Sequence, residues 1–297
     1  MNKARLVRFA TYASVIIASL LLLLKLYAWW YTESVSILAS LLDSAIDIAA
    51  SVMIVIAVQI AQTPADKEHR FGHGNAEPLA ALAQSVFISG SAVYLIIYSI
   101  ERFIHPQAIQ SADLGFIVMI ISLMVTLGLL SFQRYVIRKT QSTAIKADSL
   151  HYLSDVLANI LVIITLWFSA IQWLDPLAGF AIATWIFYSA IRIAIEAGNQ
   201  LLDHELPQQM REEIKQITLA TEGVLGMNDL RSYQSGPNKF VQFDLELDDN
   251  LSLFESHKIA ENVTKKLKQR FTDLDVMIHQ EPASLKYDPS HHNWGKE

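Results

Sequence analysis

The stretch SVSILASLLDSAIDIAASVMIVIAVQIAQ, residues 34–62, decides the architecture. It exceeds the roughly 20 mostly apolar residues that a helix needs to cross a bilayer core. Yet it holds two carboxylates, Asp43 and Asp47, and no other ionisable group. Working outward, five more segments have the same length and apolarity: residues 8–31, 76–104, 112–138, 142–172 and 177–202. Breakers or polar groups separate them, namely Thr32-Glu33, residues 63–75, His105-Pro106, Lys139-Thr140 and Asp175-Pro176. Trp29, Trp30, Tyr31, Trp167 and Trp173 suit the interfacial aromatic belts of a membrane protein. The first apolar run is too long for the core of a secretory signal, and no small-x-small cleavage site follows it. Six transmembrane helices are predicted.

Charge divides the chain. Residues 1–203 carry 12 Lys/Arg and 13 Asp/Glu, whereas residues 204–297 carry 11 and 16, within a total net charge of −6. The chain is 52% hydrophobic and 18% charged, against about 25% charged in a soluble domain. A single uniform soluble globule, a disordered chain and a collagen-like repeat are excluded. Neither part is basic, so a nucleic-acid partner is not expected. The division predicts a transport domain over 1–203, a soluble domain over 204–285 and a disordered tail over 286–297. With no cysteine, disulfides and thiolate metal sites are impossible.

Basic residues fix the expected orientation. Lys3, Arg5, Arg8, Lys67, Arg70, Arg134, Arg138, Lys139 and Lys146 fall on one side, while Arg102 and Lys25 fall on or near the other. The positive-inside rule then puts both termini and the 63–75 loop in the cytoplasm, in a multi-pass inner (plasma) membrane protein surrounded by lipid. Lys25 reads as a lysine snorkelling at the outer end of the first span.

A charge at bilayer depth costs several kcal/mol by insertion scales and is retained for a reason. Asp43 and Asp47 are spaced i,i+4, as are His151 and Asp155, the only ionisable groups from 150 to 174. That spacing stacks each pair on one helical face. Together they make a four-ligand set suited to a tetrahedral divalent ion such as Zn²⁺. A single buried Asp is ordinarily a helix–helix hydrogen bond, but two such pairs point to a metal. Arg192 and Glu196, also i,i+4, read as an internal salt bridge. In the loop, Asp66, His69 and His73 are spaced so that one turn of chain can aim all three at a cation, although that composition also suits a plain polar loop.

The soluble part reads as a small α+β domain. Met210, Ile214 and Ile217 mark a helix from Pro207 to about Glu222. A strand is expected around 224–233. Val241, Phe243, Leu245 and Leu247 alternate with polar residues as a half-buried strand. Ile259, Val263, Leu267 and Phe271 mark a second helix, and Val276-Met-Ile-His279 a last strand. The predicted order is αββαβ.

Leu41-Leu-Asp43-Ser-Ala-Ile-Asp47 together with Ala147-Asp-Ser-Leu-His151-Tyr-Leu-Ser-Asp155 resembles the signature of the cation diffusion facilitator family. His69-Arg-Phe-Gly-His73-Gly, followed by Ala76-Glu77-Pro78-Leu79, resembles its bacterial zinc- and iron-efflux branch. The likeness extends over nearly the whole chain, including Gln234-Ser-Gly and His279-Gln-Glu-Pro. It implies a homodimeric metal/proton antiporter that exports Zn²⁺, with Cd²⁺ or Fe²⁺ as further cargo, by alternating access. It implies a transport site of Asp43, Asp47, His151 and Asp155 and a loop site of Asp66, His69 and His73. It also implies a ferredoxin- or metallochaperone-like tail that holds structural zinc at the dimer interface. His257, His279 and Glu281 match that tail site, but Asn228 and Asp244 stand where the branch has histidines. Oxygen donors are harder than imidazole, so one site, or a dimer held by packing alone, is the alternative to a zinc pair. The branch also places a loop lysine opposite an Asp at the end of the sixth span. Asp203 is present, but Asn75 occupies the loop position, so that link is either lost or rebuilt with Arg70 as its cation. His204 reads as solvated, and His291-His292 as part of the tail.

An export pump is thus the expectation, and an enzyme is not. A membrane-anchored metal sensor or binding protein is the alternative. An intramembrane metalloenzyme is disfavoured, because no HExxH helix or nucleophile accompanies the ligands.

Overall fold

Small side chains set how closely the first helix meets its neighbours. Ala10, Ser14 and Ala18 of α1 (Lys3–Thr32) recur every fourth residue and are buried. Such a stripe lets helices approach closely where lipid gives no hydrophobic drive to associate. In this computed structural model, which describes residues 3–32, 35–105, 113–167 and 173–284, α1 packs against α2 (Val35–Ala61), α4 (Asp113–Thr140) and α5 (Thr143–Trp167). Leu6, Val7 and Ala10 share an apolar cluster with Ile54 and Val58 of α2, Val136 of α4, and Ile145 of α5.

The remaining helices are α3 (Ala76–Ile104) and α6 (Leu174–Leu201). Ile88 and Ala92 of α3, Leu150 of α5, and Ile186 and Ala190 of α6 bury one another. At Gly179 of α6 a Cβ would lie 2.9 Å from Ser99 Oγ of α3, so a larger residue would make the Ser99 side chain move at this crossing. Phe9, Ile16, Leu20, Leu23 and Tyr27 of α1 point outward, as lipid-facing residues do. Five helices, α1, α2, α3, α4 and α6, are long and apolar enough to cross a membrane within the described residues. α5 concentrates Lys146, Asp148, His151 and Asp155 in its first half, and its side chains beyond 161 lie outside those described.

The α5 start is built by capping. The Ser142 hydroxyl accepts from the backbone N–H of Ile145 and donates to the buried Glu77 carboxylate at the start of α3. A serine just ahead of a helix satisfies one of its orphan donors. This ties α3 to α5 two turns before His151.

The chain divides into two compact units, Met1–Gly198 and Asn199–Glu297. In the second, α7 (Gln208–Leu219), β1 (Gly226–Ser235), β2 (Asn238–Leu247), α8 (Leu253–Arg270) and β3 (Leu274–Pro282) follow the αββαβ order. β1 and β2 form an antiparallel hairpin whose turn uses Gly236 at φ 56°. β2 and β3 run parallel, joined by α8. Val241, Phe243, Leu245 and Leu247 are all buried, with Ile214 of α7 and Ala260, Val263 and Leu267 of α8. A capping box between Ser252 and Glu255 starts α8. The polar alternates Gln242, Asp244 and Glu246 therefore belong to the sheet face away from that core. The tail from 286 onward, with His291 and His292, lies outside the described residues.

Candidate metal-transport site

α2 and α5 meet at the two i,i+4 pairs. His151 Nε2 lies 3.0 Å from Asp47 Oδ1, and Asp155 joins them with all three ligand atoms within 4.8 Å of one another. The imidazole is buried and the carboxylates are half-buried. Asp43 sits one turn before Asp47 on α2, but its side chain lies outside those described. The Phe87 ring stands edge-on to His151 at 6.5 Å between centroids and walls the group on the α3 side.

The group lines a cavity of about 730 Å³, with Lys25, Ser44 and Asn159 among its other polar walls. α5 contributes His151, Tyr152, Ser154, Asp155, Ala158 and Asn159, none of them N-terminal to His151. The cavity therefore extends toward the end of the bundle where α1 stops and α2 starts. On the opposite side of His151 the bundle is closed. There Ser14 Oγ and Gln133 Nε2 both donate to Asp148 Oδ2, at 2.7 and 2.8 Å. Tyr152 OH pairs with Ser51 Oγ at 2.8 Å, and beyond them lies the Leu6–Ile54–Ile145 cluster.

Three features depart from the expectations. Lys25 is not a rim lysine: its Nζ donates to Ser44 Oγ at 2.7 Å and lines the cavity. The cause is the α1–α2 hairpin, which carries Lys25 back to the depth of Ser44. Glu196 pairs with Lys146 of α5, Nζ to Oε1 at 2.5 Å, in place of the expected partner Arg192. Asp148, given no role by spacing of pairs, is fully buried at the closed side. Its i,i+3 relation to His151 is the signal that marks it.

The loop residues converge too. Asp66 Oδ1 accepts from the backbone N–H groups of Glu68 and His69, forming a tight turn. Its two oxygens lie 3.3 Å from His69 Nδ1 and 3.3 Å from His73 Nε2. The backbone N–H of His69, ahead of that of Glu68, holds the Asp66 carboxyl below the usual carboxylate range. Gly72 at φ 85° lets the chain turn His73 back toward Asp66. His73 Nδ1 is buried without a hydrogen-bond partner among the described residues.

In the second unit, Asp244 of β2 stands in register with His279 of β3. His279 Nδ1 lies 3.3 Å from Asp244 Oδ1 and 3.4 Å from Glu281 Oε1. One imidazole and two carboxylates are a donor set that fits a divalent ion. His257 does not join it: it is exposed on α8, which packs on the opposite, apolar face of the sheet. Asn228 faces Asp244 in register, but its Nδ2 donates to Glu246 Oε1 at 2.8 Å.

Residues 11–202 match the family model described as the cation efflux transmembrane domain, and residues 206–283 the cation efflux protein cytoplasmic domain. Apolar helices around a cavity lined by candidate metal ligands, with this family match, define a multi-pass membrane transporter, not an enzyme. The chain belongs to the cation efflux, or cation diffusion facilitator, family. Among its relatives, the cation-efflux pump FieF of Klebsiella pneumoniae is 49% identical over 289 residues, 96% of each chain. FieF of Cronobacter sakazakii is 49% identical over 95% of this chain and 94% of its own. FieF of Yersinia enterocolitica is 46% identical over 98% of each. A solved structure of CzrB in a zinc form matches 29% of this chain and 99% of its own, at 27% identity and a TM-score of 0.27.

Proposed function

We propose that the protein exports Zn²⁺ from the cytoplasm in exchange for protons, holding the ion on Asp43, Asp47, His151 and Asp155. The observation that carries this reading is the convergence of Asp47, His151 and Asp155 at the inner end of a polar cavity between α2 and α5. Imidazole and carboxylate bind metal only when deprotonated, so metal and protons compete for the same atoms. Release toward a more acidic exterior follows from that competition. Three carboxylates offset the charge of a desolvated dication, and the single imidazole favours Zn²⁺ over harder ions.

With the basic loops in the cytoplasm, the cavity opens outward and the Asp148 side is the closed inner face. Transport then consists of closing this cavity and parting the helices around Asp148. The protein acts as a homodimer through its cytoplasmic domain, where Asp244, His279 and Glu281 hold one structural ion per chain. Asp66, His69 and His73 bind metal outside the membrane path. The test is radiozinc flux into proteoliposomes with imposed pH gradients of either sign. Flux that follows the proton gradient supports antiport. Zinc binding without gradient-dependent flux overturns it and leaves a membrane-anchored sensor.

A further inference from the structure

The lysine that lines the transport cavity is held there by a built contact. α1 ends at Thr32 and α2 begins at Val35, so the two helices form an antiparallel hairpin. Lys25 and Ser44 lie about 10 and 14 Å inside that hairpin's end, at 1.5 Å rise per residue. Lys25 Nζ donates to Ser44 Oγ at 2.7 Å, and Ser44 is only 2% exposed. Ser44 follows Asp43 directly and lies one turn before Asp47 on α2. An ammonium this deep is expensive in a bilayer unless opposite charge lies near it. Here the same cavity carries Asp47 and Asp155.

Formal charge gives the contact a role. Asp43, Asp47 and Asp155 supply three negative charges, and Lys25 supplies one positive charge. The balance is equal and opposite to a divalent cation. We propose that Lys25 is a positioning residue of the transport site, a tethered counter-charge that weakens the hold on the divalent ion enough for release. The inference rests on the reading of Asp43, Asp47, His151 and Asp155 as that site. Ser44 holds the ammonium in the cavity that Asp47, His151 and Asp155 also line. Charges in a low-dielectric cavity interact strongly, so one fixed cation shifts the affinity for a dication substantially.

The test uses the full-length protein in proteoliposomes with Zn²⁺ as the probe. Half-saturating Zn²⁺ and maximal rate are measured for the parent, Lys25→Met, Lys25→Arg, Ser44→Ala and Asp47→Asn. Lys25→Met should lower half-saturating Zn²⁺ by at least about threefold and lower the maximal rate with it, because binding tightens and release slows. Lys25→Arg keeps the charge and should move half-saturation back toward the parent's value. Ser44→Ala removes one hydrogen bond of the ammonium and should fall between parent and Lys25→Met. A purely structural lysine predicts a lower maximal rate at unchanged half-saturation, and that result overturns the proposal. If Lys25→Met fails to elute as the parent does, Ser44→Ala decides alone, and unchanged half-saturation there overturns it. Asp47→Asn separates the two readings. Its loss of transport with an unchanged Lys25→Met sinks only the counter-charge, whereas parental flux in Asp47→Asn sinks the site itself.

Discussion

Ser14 Oγ of α1 donates to Asp148 Oδ2 of α5 at 2.7 Å, and Gln133 Nε2 of α4 donates both to that oxygen and to Ser14 Oγ. One buried carboxylate thus fastens three helices, one turn from His151. Asp148→Ala removes the acceptor that Ser14 and Gln133 share and leaves them only the Ser14–Ala10 and Gln133–Ser14 contacts, a loss on the order of 1 kcal/mol or more in a buried network. The expected outcome is a lower thermal midpoint for the detergent-solubilised protein, followed by loss of its size-exclusion peak. Asp148→Asn keeps a carbonyl for both donors and should recover part of the loss. An Ala variant as heat-stable as the parent would show that the clasp contributes nothing.

Asp47→Asn keeps the side-chain shape but removes charge and most ligand strength. Changing even an outer-shell partner of a metal ligand costs about 10–100-fold, so a ligand itself should cost more. Transport should vanish while the protein elutes as the parent does. Asp47 Oδ1 and His151 Nε2 stand 3.0 Å apart, so both would flank a shared ion.

The helical architecture was legible because periodicity and apolar length are local properties. The 76–104 span and α3 coincide, and the αββαβ order follows from alternation around Phe243 and the helical face of Val263 and Leu267. The i,i+4 pairs of α2 and α5 were legible for the same reason. Lys25 and Glu196 were misread because their partners are set by helix packing. Spacing along one helix says nothing about which residue of the next helix arrives at the same depth. His257 lies on α8, across the apolar face of the sheet from His279, so the two do not meet within one chain.

Asp66→Ala should reduce transport by less than about tenfold, because the loop lies outside the membrane path. Backbone N–H groups hold the folded carboxyl below its ordinary value. A depressed carboxyl stabilises its turn above the unfolded pKa and loses that contribution only as pH falls through the lower folded value. Across about pH 5.5 to 8, therefore, Asp66 stays ionised and its own titration adds no pH dependence to loop binding. Zinc-dependent fluorescence of the Asp66→Ala and His69→Ala variants over that range measures it. Complete loss of flux from folded Asp66→Ala would place the loop on the transport path.

His151→Asp bears on selectivity and coupling together. His151 is the only nitrogen donor among the four residues assigned to the site. Replacing it leaves oxygen ligands alone and adds a negative charge, so Mn²⁺ or Fe²⁺ should gain relative to Zn²⁺. The side chain is buried against Phe87 and Tyr152, and Asp is smaller, so some absolute rate is lost for every ion. The ratio of ions, not the rate, is therefore the readout. Proton competition should also move. An unperturbed carboxyl titrates about 2.6 pH units below an unperturbed imidazole. Protons then displace metal from the variant only at lower pH than from the parent. Zn²⁺ and Mn²⁺ uptake into vesicles, measured between about pH 5.5 and 8, gives both quantities. If the Zn²⁺ to Mn²⁺ ratio and the pH profile both match the parent's, His151 neither selects the ion nor exchanges the proton.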